Sequence, residues 1–102
     1  MTTYRLVFEE RARKDWDRLD QPIRERFKKK LRERLDNPKV PSARLRDLPN
    51  CYKIKLGSPG FRLVYQVHDD QLIVLVIAIG KREREKAYAK AVAALARLYD
   101  RS

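Results

Sequence analysis

Cys51-Tyr52-Lys53-Ile54-Lys55-Leu56, then Gly57-Ser58-Pro59-Gly60, then Phe61-Arg62-Leu63-Val64-Tyr65-Gln66-Val67 is the stretch from which the fold can be read. Two alternating runs flank four turn-forming residues, which is the pattern of a β-hairpin. Side chains alternate faces along a strand, so Tyr52, Ile54 and Leu56 share one face, as do Phe61, Leu63, Tyr65 and Val67 on the returning strand. If the two apolar faces coincide, the turn sets Leu56 across from Phe61 and Lys55 across from Arg62, with Lys53 two residues further along. Like charges directly opposed on a sheet are unfavourable, and neither strand contains an acid. One account is a solvated face whose lysines keep the sheet edge soluble. A phosphate pocket is the better account, because three convergent cations with no counter-charge suit an anion.

Working outward, residues 72–79 are apolar at every position, as expected for a strand covered on both faces. His68-Asp69-Asp70-Gln71 reads as the turn before it. At the other end, residues 3–8 read as a first strand. Phe8, Ala12, Trp16 and Leu19 then recur at helical spacing. Asp20-Gln21-Pro22 interrupts that helix and starts another, with Asp20 as N-cap and proline in the first turn. Ile23, Phe27, Leu31 and Leu35 form its apolar stripe, and Asn37-Pro38 ends it. Residues 39–50 form a loop. A last helix spans about 83–99, with Tyr88, Val92, Leu95 and Tyr99 along one side. The order βααβββα, with helices and strands in runs, predicts an α+β fold. Residues 1–102 form one compact domain, an N-terminal helical hairpin packed on a mostly antiparallel four-stranded sheet with a C-terminal helix.

The 102 residues hold 25 Lys and Arg against 14 Asp and Glu, a formal net charge of +11. Such an excess creates a long-range positive field, and nucleic acid, an anionic membrane or an acidic protein are the partners it suits. The single cysteine, Cys51, allows no intramolecular disulfide. No N-terminal apolar run marks a signal peptide, and the longest apolar stretch is too short to span a bilayer. These features point to a cytoplasmic location without a membrane.

Two further features bear on chemistry. Residues 24–34 carry seven cations against two acids, the pattern of a surface that tracks phosphates or of an ordinary solvated helix face. Lys28, Lys29 and Lys30 of that run, with Arg46 and Lys81 flanking the strands, are the candidate cations for binding a nucleic acid. Past the last strand, Gly80 lets the backbone turn and Lys81, Arg82 and Arg84 gather where the helix begins. Tyr88 is either a core aromatic or a platform on which a base stacks. His68 is the only histidine and sits in a turn, so a nuclease built on a histidine pair is excluded. The carboxylates are dispersed beside Lys and Arg and form no metal-ligand cluster. No phosphate-binding glycine motif is present. No metal or other cofactor is expected.

Leu45-Arg46-Asp47-Leu48-Pro49-Asn50, running into the hairpin, together with Gly60–Val67 and Val76-Ile77-Ala78-Ile79-Gly80-Lys81-Arg82-Glu83-Arg84, closely resembles the RelE toxins of bacterial and archaeal type II toxin–antitoxin pairs. Phe8-Glu9-Glu10-Arg11-Ala12 with Trp16 fits as well, and the resemblance runs to about Val92. It implies the βααβββα fold and a metal-independent endoribonuclease that cuts messenger RNA in the ribosomal A site. It further implies that Lys53 and Lys55 activate the 2′-hydroxyl and Arg62 holds the scissile phosphate. Arg82 would stabilise or protonate the leaving 5′-oxygen, and Tyr88 would stack on the nucleotide. The implied partners are a cognate RelB-like antitoxin, messenger RNA and 16S ribosomal RNA on the 70S ribosome, and operator DNA only through the antitoxin. A non-catalytic RNA-binding module, a co-repressor acting with its antitoxin and a retargeted toxin of the same fold are the rival readings.

Overall fold

Apolar side chains on both faces of one sheet organise the chain. The computed structural model describes residues 3–58, 60–81 and 86–100. The elements are β1 (Arg5–Phe8), α1 (Glu10–Arg18), α2 (Gln21–Asp36), β2 (Cys51–Leu56), β3 (Phe61–His68), β4 (Ile73–Lys81) and α3 (Lys86–Asp100). This is the expected βααβββα order. The strands lie in the order β1-β4-β3-β2. β2 and β3 are antiparallel, as are β3 and β4, whereas β1 runs parallel to β4.

The alternation along the hairpin sorts its side chains between two cores. Tyr52, Ile54, Leu56, Leu63, Tyr65 and Val67 face α1 and α2, where they meet Trp16, Phe27 and Leu31. Trp16 lies between Phe8 and Phe27, with ring centroids 5.0 Å and 6.4 Å away. Cys51 and Val64 face the other way, with Ile77 and Ala78, under Ala87, Ala91, Ala94 and Leu95 of α3. The alanines let α3 sit low on the sheet, and β4 is covered on both faces as its unbroken apolar run requires.

Several local expectations are corrected. β1 begins at Arg5, not residue 3, and ends at Phe8 as expected; α1 starts after Glu9, whose carboxylate accepts from the Arg11 and Ala12 amides. Asp20 holds the N-cap position of α2 but its side chain makes no capping bond. Residues 41–43 of the predicted loop form one 3-10 turn, Pro41–Ala43. His68 ends β3, opposite Ile73, and Leu72 belongs to the turn with φ 54°. β4 continues through Gly80 and Lys81, so Gly80 is not a turn residue. It is needed because a Cβ there would lie 3.1 Å from the Ala87 backbone nitrogen. The described part of the last helix runs from Lys86 to Asp100, and its inward stripe is Ala87, Ala91, Ala94 and Leu95, whereas Val92 and Tyr99 are exposed. The expectation put Val92 and Tyr99 on the apolar stripe because they are larger than the alanines that actually make the contact.

Phe27 is completely buried, so Phe27→Ala lowers the unfolding free energy by about 3–5 kcal/mol, read from the urea midpoint at constant m-value. Cys51 is also completely buried, and burial pushes its thiol up to about 12. An unfolded thiol ionises near about 8.5. The stabilisation from keeping it protonated is therefore whole below that value and is lost as pH rises towards the folded value. The native protein should resist a thiol reagent at neutral pH and react only on unfolding. Its stability should fall less steeply in alkali when Cys51 is replaced by Ala.

Candidate active site

The β2–β3 register delivers the cations as the alternation predicts. Leu56 pairs with Phe61, Lys55 with Arg62 and Lys53 with Val64. Lys53 and Arg62 are half-buried and Lys55 is exposed. Across β3, Arg62 pairs with Gly80 and Phe61 with Lys81, so the end of β4 lies beside the start of β3. The cationic hairpin end and the Gly80–Lys81 corner are therefore one region. Arg82, Glu83 and Arg84 follow directly in the chain but lie outside the described residues, as does Pro59.

A bulge sets the faces at this corner. Val64 pairs with Ala78 and Tyr65 with Val76, which leaves Ile77 as an extra residue on β4. Such a bulge reverses the alternation beyond it. Val76 faces the first core, Ile77 and Ala78 both face the second, and Ile79 returns to the first. Gly80 consequently faces α3, on the same side of the sheet as Arg62, where its missing Cβ lets the helix approach. Lys90 holds α3 there, with its Nζ 3.0 Å from the Ile79 carbonyl and 3.0 Å from Asp15 Oδ2. Arg97 adds a second tie, 3.3 Å from Glu9. Tyr88 is half-buried on this side of the sheet. It packs against the second core, and its hydroxyl donates to Asp47 Oδ2 at 3.5 Å.

The other candidates are spread wider. Arg46 and Lys81 are exposed. Lys28, Lys29 and Lys30 sit on α2, which covers the opposite face of the sheet from α3. Lys28 is paired with Glu25 at 3.3 Å. The run 24–34 is not a uniform outer face. Arg24 donates to the Leu19 carbonyl at 3.2 Å, Arg26 donates to the Ser58 carbonyl, and Arg34 turns inward. Its Nη1 lies 3.2 Å from the Lys53 carbonyl and 2.8 Å from Tyr65 Oη, and its guanidinium stands 5.8 Å from the Tyr65 ring centroid. Burial pushes the Tyr65 phenol up, opposed by Arg34, and the phenol donates to the Pro38 carbonyl at 2.6 Å. The inward turn of Arg34 is unexpected for a run read as an outer face, although Phe27, Leu31 and Arg34 share the i, i+4, i+7 spacing of an inward stripe.

His68 lies at the far end of β3, away from this corner, with its Nε2 buried and without a hydrogen-bond partner among the described residues. Among the described residues, no three His, Cys, Asp or Glu side chains group as metal ligands. No described helix is long and apolar enough to cross a membrane. The arrangement is a cationic corner with an aromatic beside it, suited to gripping a phosphodiester and stabilising charge that develops on it.

Known proteins resemble this chain in sequence and in fold. A family model described as the ParE toxin of the type II toxin–antitoxin system matches residues 6–86. The mRNA interferase toxin RelE of Escherichia coli is 53% identical over 89 residues, covering 87% of this chain and 94% of that protein. The structure of an arginine-to-alanine double variant of E. coli RelE in the free state has a TM-score of 0.83 at 48% identity. It covers 91% of this chain and 97% of its own. The toxin in the crystal structure of the intact E. coli RelBE toxin–antitoxin complex gives a TM-score of 0.77 at 53% identity, covering 79% of this chain and 99% of that one. With the sheet order, the cationic hairpin and these matches agreeing, the chain belongs to the RelE/ParE family of type II toxin–antitoxin toxins.

Proposed function

We propose that this protein, as a single toxin domain over residues 1–102, is a ribosome-dependent endoribonuclease that cuts messenger RNA in the ribosomal A site and so arrests translation. The observation that carries the reading is Lys55 fixed opposite Arg62, with Lys53 beside them and no acid in either strand. Likeness to an mRNA interferase at 53% identity supports it. A cognate RelB-like antitoxin neutralises the toxin, in keeping with the RelBE complex it resembles. Operator DNA is reached only through that antitoxin, and the toxin works in the cytoplasm, where ribosomes are.

The chemistry follows from what each residue type can do. The 2′-oxygen loses its proton to Lys53 or Lys55 and bonds to the adjacent phosphorus. Arg62 binds the non-bridging oxygens, on which charge rises. The bond from phosphorus to the 5′-oxygen breaks, and Arg82 stabilises that oxygen as it takes a proton from water. Tyr88 stacks on the nucleotide. The products are a 2′,3′-cyclic phosphate and a 5′-hydroxyl. Lysine accepts a proton only in its uncharged form, and arginine is a poor acid. A site strong in charge stabilisation and weak in proton transfer gains most from exact placement of the substrate, which the ribosome supplies.

End mapping on ribosome-bound messenger should find cyclic phosphates, and a 2′-deoxy nucleotide at the cut should abolish cleavage. Lys53→Ala and Arg62→Ala should each slow cleavage by roughly 10²–10⁴-fold while ribosome pelleting stays intact. Growth arrest without cut messenger would favour a retargeted toxin, and equal rates on free and ribosome-bound RNA would remove the ribosome from the mechanism.

A further inference from the structure

The cleft between α2 and the outer edge of β2 is a concentration of positive charge that reaches beyond the residues assigned to the cleavage step. It encloses about 250 Å³ and is lined by Lys30, Arg34, Lys53 and Lys55, with Ser42 and one acid, Glu33. Lys30 and Arg34 are four residues apart on α2 and so lie on one face, where like charges destabilise a helix. Lys53 and Lys55 share one face of β2. Two like-charge pairs thus border one cleft. Among the described residues, none of these four cations belongs to an ion pair.

Arg34 is the telling member. It is half-buried, and its partners are a backbone carbonyl, a phenol and an aromatic face. All are neutral. They fix the guanidinium in direction without neutralising it. A cation partly withdrawn from water without a counter-ion is costly. The C-terminal end of α2 offsets part of this cost, and an anion in the cleft would offset more. Arg34 also grips the Lys53 carbonyl, so an anion bound here lies next to the residues assigned to the reaction.

We propose that this cleft is a phosphate subsite that takes a phosphodiester of the RNA strand next to the one cut, with Arg34 and Lys30 as its principal ligands and the Ser42 hydroxyl as a further donor. The inference rests on RNA being the substrate. It extends the RNA path from the α3 side of the sheet, round the β2 edge, to α2.

The test is a titration of the full chain with a 2′-O-methyl RNA hexamer, which cannot be cut, across a salt series. Losing one phosphate contact to a single strand lowers the steepness of log K against log salt by about 0.7. Lys30→Gln and Arg34→Met should each weaken binding severalfold and lower the slope by about that amount. Arg13→Gln, which removes a charge from α1 away from the cleft, should leave the slope unchanged. Lys30 is exposed, so its variant remains informative if Arg34→Met fails to fold. Wild-type affinity and slope in Lys30→Gln would overturn the subsite, as would an equal loss in Arg13→Gln, which would mean a diffuse charge effect. If the wild-type protein cuts ribosomal messenger while Lys30→Gln binds normally, the subsite alone fails. If the wild type neither binds the hexamer nor cuts messenger, the RNA reading fails with it.

Discussion

The register of β2 against β3 is the constraint on which the rest depends. β3 is buried on both faces, so a slip of one residue would turn Leu63 and Tyr65 towards α3 and Val64 and Gln66 towards α2. Two cores of different composition forbid that. The same register forces Lys55 opposite Arg62, an arrangement with no local benefit. The hydrophobic energy of the two cores therefore holds together a pair of charges that would otherwise separate. Tyr65 reinforces this from below, tying the Pro38 carbonyl and Arg34 to the strand that opposes Lys53.

How much of this was legible in the sequence depended on distance along the chain. The hairpin, its register and the two-faced burial of the last strand could be read because each is written in adjacent residues as an alternation. The family likeness named Arg82 and Tyr88, which spacing alone left undecided. The bulge at Ile77 could not be read, because an extra residue in an apolar run leaves the run apolar. The reason for Gly80 was likewise hidden, since it lies in the approach of α3 and not in the local backbone. The inward face of α3 was misjudged because side-chain size was taken as the guide to burial, whereas close packing on the sheet selects alanine.

Charge behaved differently from hydrophobic pattern. The excess of +11 pointed to an anionic partner at once, but it did not say which cations were at work. On α2 the structure divides a run that looks uniform. Arg24 and Arg26 brace turns, Lys28 is paired, Arg34 is drawn to the sheet edge, and Lys29, Lys30 and Arg32 face solvent. Composition gives the size of the field, and only packing gives its direction.

The parallel pairing of β1 with β4 has a consequence for synthesis. Arg5–Phe8 is made before its partner Ile73–Val76, and α1, α2, β2 and β3 lie between them in the chain. Closing so long a loop makes this contact intrinsically slow to form. During translation β1 waits unpaired until β4 has left the exit tunnel, and by then β2 and β3 are already available to one another. The last strand to emerge is also the one that brings Gly80 beside Arg62. A nascent chain therefore cannot assemble the cationic corner until β4 has been made and has paired with β3.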